Sequence, residues 1–208
     1  MMEERIGLIA GSGRLPIHAA RGIVAAGFQL VAVGLTEEAD PELAAELPAL
    51  TRIPVGNLRQ MSGHLRAHGA SRLVMAGKVH KPPLFAGAQV DEDFLRLLSG
   101  LPRKNDDAIL GAVVDYFSRN GLEVLPQTEF LRDLLVPKGV LSRRLPDARE
   151  KADIVFGFEM AKQIGRLDFG QSVVVKSQAV LAVEAVEGTD ETIRRGGRLG
   201  HGQSVLVK

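Results

Sequence analysis

Short apolar runs alternate with longer amphipathic segments through the first half of the chain. The runs are bounded by glycine, proline and polar residues, as is typical of buried strands. Strands are therefore predicted at Ile6–Ala10, Leu30–Gly34, Thr51–Val55, Leu73–Ala76 and Glu123–Leu125. Helices are predicted between them, at Pro16–Ala26, Leu58–His68 and Asp106–Arg119. Because alternating strands and helices pair through right-handed crossovers, we predict an α/β fold with a Rossmann-like, mainly parallel sheet.

A second pattern begins after Pro126. An apolar face predicts a helix over Glu129–Leu141, and a longer helix follows the next connector and ends near Gly165. The segment Gln171–Arg195 then predicts two apolar strands, a turn and the start of another helix. The composition changes within residues 126–145. We assign residues 1–130 to the Rossmann-like domain and residues 131–208 to a smaller α/β domain, incomplete at its end.

Composition excludes several classes of function. The 208 residues are 45% hydrophobic, which suffices for a packed core, and no apolar run reaches the ~20 residues that span a bilayer. Lys and Arg number 26 against 25 Asp and Glu, and tryptophan is absent, so neither charge nor stacking favours nucleic acid. Without cysteine there are no disulfides or thiolate sites. No signal peptide begins the chain, which favours a cytoplasmic location.

A glycine loop follows the first predicted strand. Gly11, Ser12 and Gly13 precede a predicted helix start, where free backbone N–H groups and the helix dipole favour an anion. Pro16 stands where the dinucleotide fingerprint has its third glycine, and no acidic residue ends the second strand, so that fingerprint is not met. The loop is therefore either a phosphate or nucleotide contact or a simple tight turn.

Cations follow the fourth predicted strand, on the same rim of the sheet as the glycine loop. Lys78 is a candidate phosphate ligand, whereas we interpret Lys81 as a solvated residue of a proline-stiffened loop. His80 is either an acid–base group or a surface hydrogen-bonding residue. Asp106 is a candidate contact for a ligand or a metal, or it complements the helix dipole together with Asp107.

Three carboxylates lie close together in the second half. Glu184 ends an apolar strand, and Glu187 and Asp190 follow it within seven residues, with Thr189 beside them as a candidate substrate contact. A carboxylate at the end of a buried strand needs a cation or hydrogen-bond donors. The cluster therefore indicates a polar site, and the alternative is capping of the helix that begins there.

Seven segments of the chain together resemble one protein family. FGQSVVVK and VEAVEGTD are far more specific than any glycine loop. The matching segments are GLIAGSGRLP, LVMAGKVHKPP, KNDDAIL, LLVPKGVLSRRLPD, KADIVFG, LDFGQSVVVK and AVLAVEAVEGTDETIRR. They are similar to the LpxI-type UDP-2,3-diacylglucosamine pyrophosphatases of bacterial lipid A synthesis, and the resemblance runs across essentially the whole chain.

The resemblance implies a cytoplasmic, two-domain, Mg²⁺-dependent hydrolase that forms a homodimer. Attack at the α-phosphate of the lipid-linked UDP-sugar gives UMP and lipid X, and the substrate implies peripheral contact with the inner membrane. A carboxylate-held Mg²⁺ neutralises phosphoryl charge and activates water. Glu187 and Asp190, with Glu184 beside them, would hold the metal, while Gly11–Gly13 and Lys78 would hold the phosphates.

The chain departs from the family pattern at its end. Family members continue past the segment matched by Ser204–Lys208 into a Gln-Asp-x-Arg-x-Asp pattern, which carries the aspartate regarded as critical for catalysis. We therefore assign no catalytic residue, and we expect the 208-residue form to be inactive and to self-associate through an exposed strand edge. Two alternatives stay open: a non-catalytic nucleotide-sugar or lipid-phosphate binding protein, and a nucleotide-sugar-modifying enzyme on a Rossmann scaffold.

Overall fold

The structure is a computed structural model that describes residues 4–36, 38–39, 41–47, 49–79, 90–102 and 106–208. At positions 41 and 106 it describes the backbone alone. The chain divides into two compact units, Met1–Pro137 and Lys138–Lys208. Each unit has its own sheet and its own hydrophobic core.

The first unit is built on a parallel sheet with the strand order β3-β2-β1-β4-β5. The strands are β1 (Arg5–Ala10), β2 (Gln29–Leu35), β3 (Thr51–Ile53), β4 (Ala70–Ala76) and β5 (Glu123–Val124). The chain runs outward from β1 to β3 and then crosses back to place β4 on the other side of β1. This reversal puts the topological switch point between β1 and β4, where open α/β sheets bind ligands. The predicted α/β, Rossmann-like fold is confirmed.

Helices cover both faces of this sheet. They are α1 (Leu15–Ala25), α2 (Pro41–Glu46), α3 (Leu58–Ala67), α4 (Glu92–Ser99) and α5 (Asp106–Arg119). Alternate residues of β1 point to opposite faces: Leu8 packs in the core with Ile23 of α1, and Ile9 packs with Leu65 of α3 and Phe117 of α5. Since both faces are covered, β1 is buried from its second residue to its last.

The second unit has an antiparallel sheet with the order β7-β6-β8. Its elements are α6 (Ala148–Leu167), β6 (Val173–Lys176), β7 (Ala179–Val183), α7 (Thr189–Leu199) and β8 (Val205–Val207). Gly157 lets α6 approach one face, where a Cβ would lie 2.7 Å from Val207. Gly196 lets α7 approach the other face, where a Cβ would lie 2.5 Å from Val174. The two strands and the helix start predicted within Gln171–Arg195 are therefore confirmed.

The helix predicted over Glu129–Leu141 is wrong. That stretch contains only short 3₁₀ turns, Gln127–Glu129 and Arg132–Leu134, followed by irregular chain. Its apolar residues are mostly exposed, and a short helix with no buried stripe is not stable in water. Pro137 lacks an N–H donor, and Gly139 has φ 130°, outside the helical region. Within the described ranges, no helix is long and apolar enough to span a membrane.

Candidate functional site

The glycine loop is joined, backbone to backbone, to the segment that follows β4. The N–H of Ser12 donates to the carbonyl of Lys78 at 2.9 Å, and the N–H of Lys78 donates to the carbonyl of Ser12 at 3.0 Å. The N–H of Gly11 donates to the carbonyl of Ala76 at 2.9 Å, and the Ser12 hydroxyl donates to the Lys78 carbonyl at 3.2 Å. The amides of Gly11 and Ser12 therefore already have acceptors inside the protein and are not free donors for a phosphate.

This bridge explains two glycines sterically. A Cβ at Gly11 would lie 2.3 Å from the carbonyl oxygen of Lys78, and one at Gly77 would lie 2.7 Å from that of Ser12. Gly13 is different, because no described atom lies within 4 Å of its ideal Cβ position, and its φ of 87° favours glycine. Within the predicted loop, Gly13 is thus the residue with open space beside it, at the entrance to α1.

The Lys78 side chain is exposed and forms no ion pair within the part of the chain that the structure describes. Its ammonium can therefore receive an anion at the switch point without first breaking an ion pair with a described residue. His80 and Lys81 lie outside the described residues. Asp106 begins α5, and its side chain also lies outside the description.

A largely apolar pocket of about 490 Å³ lies beside the bridge, at the carboxyl edge of the sheet. Gly11 and Gly77 form part of its lining, and α3, α4 and α5 supply apolar side chains. The helical lining residues are Leu58, Met61, Phe94, Ile109, Leu110, Val113 and Phe117. Two polar side chains among the described lining residues, Asp107 and Gln127, border this apolar surface.

Sequence reasoning missed this pocket, because its wall is assembled from three helices far apart in the chain. Gln127 follows β5 closely, however. The residues just after a parallel strand are where an open α/β sheet binds ligands, so the position of Gln127 was a signal in the sequence for this edge of the pocket.

One ionic network fixes α4, and with it the Phe94 wall of the pocket. Asp91 caps α4 by accepting from the N–H of Phe94 at 2.8 Å, and it also accepts from the N–H of Arg59 at 2.7 Å. Asp93 accepts from the Arg59 guanidinium at 2.8 and 3.1 Å and from the Tyr116 hydroxyl at 3.0 Å. The hydrogen bond from Arg59 holds the pKa of Asp93 below its usual value, and partial burial opposes that shift. The ionised carboxylate therefore ties α3, α4 and α5 together.

The candidate residues of the second unit form a network around Glu184, which is only 9% exposed. Its carboxylate accepts from the Thr189 hydroxyl at 2.7 Å and from the N–H of Gln171 at 3.2 Å. Burial raises the pKa of Glu184, but the nearby polar side chain of Ser172, the hydrogen bonds from Thr189 and Gln171 and the charge of Lys208 outweigh it, so the pKa lies below its ordinary value. The Lys208 ammonium donates to Thr189 at 2.9 Å. Glu184 and Thr189 are thus engaged with each other.

Glu187 and Asp190 have different surroundings. Glu187 accepts from the Arg195 guanidinium at 2.6 Å and from the Thr192 hydroxyl at 3.5 Å. Asp190 is exposed in the first turn of α7, and no described residue hydrogen-bonds to its carboxylate. Across the described residues, no group of three or more His, Asp or Glu side chains is arranged to hold a metal. The Mg²⁺ assignment to this cluster stays a prediction.

Fold and pocket together define a two-unit α/β protein whose Rossmann-like unit has a ligand-sized apolar site at its switch point. A family model for the LpxI N-terminal domain matches residues 5–134, and one for the LpxI C-terminal domain matches residues 137–208. The chain is also 38% identical over 195 residues to the UDP-2,3-diacylglucosamine pyrophosphatase LpxI of Caulobacter vibrioides, across 92% of this chain and 69% of that relative. The chain belongs to the LpxI family, as the sequence resemblance predicted.

Proposed function

We propose that this protein hydrolyses the pyrophosphate bond of UDP-2,3-diacylglucosamine to UMP and lipid X, in the synthesis of lipid A. The observation that carries the proposal is the match to both LpxI domains, over residues 5–134 and 137–208, together with a relative named for this activity. A cytoplasmic location, a homodimeric state and contact with the inner membrane through the lipid substrate belong to the same proposal.

The apolar pocket of the first unit supports a lipid-linked substrate. Its volume of about 490 Å³ falls within the range of ~300–1,000 Å³ typical of small-molecule sites. Apolar side chains such as Met61, Phe94 and Val113 offer an acyl chain a place out of water. Lys78 follows β4, and Gly13 follows β1 at the entrance to α1, where they would meet the phosphates of a substrate whose acyl part occupies the pocket.

The second unit offers carboxylates for the metal. Mg²⁺ keeps several waters and commonly takes one or two protein carboxylates, so the exposed carboxylate of Asp190 fits it. Glu187 would have to exchange its contact with Arg195, and Glu184 would have to give up donors that stabilise the fold. We therefore rank Asp190 before Glu187 and Glu184 as a ligand. A bound Mg²⁺ would supply positive charge and a polarised water.

The experiment measures two quantities, the affinity for UDP-2,3-diacylglucosamine and the release of UMP, across a titration of Mg²⁺. The 208-residue chain is assayed beside a chimera that continues into the C-terminal segment of the Caulobacter vibrioides relative. Binding with Mg²⁺-dependent UMP release by either form supports the hydrolase. Binding without release by both forms supports the alternative of a non-catalytic binding protein, and absence of binding refutes both functions.

The metal role has its own variant and a matched control. In a form that releases UMP, such as the chimera, Asp190→Asn should raise the Mg²⁺ concentration needed for half-maximal turnover while leaving the melting temperature unchanged. Glu191→Gln removes a neighbouring carboxylate of the same helical turn, which is paired with Arg194, and should leave the metal dependence as it is. Equal metal dependence in the wild type and in Asp190→Asn would refute the ligand assignment.

A further inference from the structure

Residues 138–145, KGVLSRRL, form an exposed loop that the proposed catalytic and binding residues do not include. We call it the basic loop. Every residue in it is exposed, and it has no regular secondary structure. Three large aliphatic side chains stand in water: Val140 is 50% exposed, Leu141 67% and Leu145 69%. Soluble proteins rarely leave several such side chains together on the surface unless they meet a partner there.

The same loop has only positive charge. Lys138, Arg143 and Arg144 lie within these eight residues, and none of the eight is acidic. Lys138 and Arg143 form no ion pair with any described residue. Two cations are therefore free to meet an anionic surface, beside aliphatic side chains that favour leaving water.

The base of the basic loop is fixed. The Arg144 guanidinium donates twice to the Glu150 carboxylate, at 2.8 and 2.7 Å, and Glu150 and Asp147 form the capping box of α6. The Ser142 hydroxyl donates to the carbonyl of Arg144 at 2.7 Å. A Cβ at Gly139 would meet no described atom within 4 Å, so the other end of the loop stands clear of its unit. The aliphatic side chains are thus presented on a tethered loop rather than packed on the core.

We propose that the basic loop docks the protein on an anionic lipid bilayer, with Leu141 and Leu145 entering the interface and Lys138 and Arg143 meeting lipid phosphates. Insertion stops at headgroup depth, because irregular backbone cannot enter the hydrocarbon region unpaired. Aliphatic side chains combined with cations are the pattern by which peripheral proteins bind anionic membranes. A symmetric contact between two copies would instead bring like charges together, which opposes association.

The docking proposal rests on the proposed function, since an enzyme with a lipid-linked substrate has to reach the bilayer. Vesicle binding can nevertheless be tested separately from hydrolysis. Vesicles of phosphatidylcholine mixed with phosphatidylglycerol, and vesicles of phosphatidylcholine alone, are prepared without UDP-2,3-diacylglucosamine. Flotation then measures how the full 208-residue chain partitions onto each at low and high salt. We expect binding to the anionic vesicles, weakened by salt.

Two double variants divide the surface into its parts. Lys138→Gln with Arg143→Gln should weaken partitioning onto anionic vesicles by about 30-fold and remove most of its salt dependence. Leu141→Ser with Leu145→Ser should weaken it while preserving the salt dependence. The matched controls change exposed residues of the same unit, Leu167→Ser with Val186→Ser and Arg166→Gln with Arg198→Gln, and should bind as the wild type does. Circular dichroism checks that each variant is folded.

Three results would overturn the docking proposal. The first is that the wild type does not partition onto anionic vesicles. The second is that both loop variants partition onto them as strongly as the wild type does. The third is a loss of oligomer mass in light scattering of the loop variants with vesicle binding intact, which would assign the loop to a protein interface. If the protein binds anionic vesicles but releases no UMP, the proposed hydrolysis is refuted and the docking proposal is supported.

Discussion

Replacing Asp153 should open the hairpin turn between β6 and β7. Asp153 lies in α6, is only 2% exposed, and accepts hydrogen bonds from the N–H groups of Ser177 at 3.0 Å and Gln178 at 2.6 Å. Both turn residues have positive φ, 51° and 55°, as a two-residue hairpin turn of type I′ requires. Asparagine and glycine are the usual residues there, so Ser177 and Gln178 take this conformation at a cost that the carboxylate offsets.

The magnitude follows from the two hydrogen bonds. A bond to a charged group contributes about 1.5–3 kcal/mol, which for two bonds gives an upper range of roughly 3–6 kcal/mol. Since Ser177 and Gln178 are exposed, water can replace part of what their amides lose. We therefore expect Asp153→Ala to lower the free energy of unfolding of the second unit by about 2–4 kcal/mol, and Asp153→Asn, which keeps one acceptor, by about 1–2 kcal/mol.

Amide hydrogen exchange is the assay, because it reports on the turn itself as well as on the unit. The amides of Ser177 and Gln178 should show the largest increase in exchange rate over the wild type. The exchange rates of the β6 and β7 amides should rise by the factor that corresponds to the lost free energy of unfolding. Adding Gln178→Gly to Asp153→Ala should recover about 1 kcal/mol by removing the left-handed strain. Glu159→Ala, an exposed change in the same helix, is the control and should stay within about 0.5 kcal/mol of wild type. Equal exchange in Asp153→Ala and the control would refute the reasoning.

Three further predictions concern the backbone bridge, the side chain of Lys78 and the capping box of α6. Gly11→Ala places a Cβ 2.3 Å from the Lys78 carbonyl and should destabilise the first unit by about 1–3 kcal/mol in urea unfolding; an unchanged midpoint would contradict the steric argument. Lys78→Gln keeps the backbone bridge and should weaken substrate affinity in calorimetry by the ~1.5–3 kcal/mol of a charge-assisted bond, whereas equal affinity would mean a solvated ammonium. The hydrogen bond from Arg144, and after it the one from the N–H of Asp147, lowers the pKa of Glu150 from 4.5 to about 2. The contribution of Glu150 to stability is therefore present above about pH 4.5 and is lost as the pH falls toward 2. Arg144→Gln should raise that pKa in a carboxyl NMR titration without restoring 4.5, because the Asp147 bond remains; an unshifted pKa would exclude Arg144 as the main cause.

The sequence by itself determined the elements whose pattern is local. The five parallel strands and the helices α1, α3 and α5 lie within a few residues of their predicted positions, because apolar period and glycine or proline boundaries act on neighbouring residues. The predicted helix at 129–141 fails for the complementary reason. Its apolar stripe has the right period, but a stripe stabilises a helix only when another element covers it, and here most of the apolar side chains remain exposed.

Only the tertiary structure decided which polar groups meet. The glycine loop was visible in the sequence, yet the acceptors of Gly11 and Ser12 lie more than 60 positions later, at the last residue of β4 and just after it. The carboxylate of Glu184 was visible as well, but its donors come from Gln171, before the β6–β7 hairpin, and from Thr189, after it. A pattern of residue types gives each group's capacity to bond. The choice between a ligand and a protein partner depends on which distant groups the fold brings within about 3 Å.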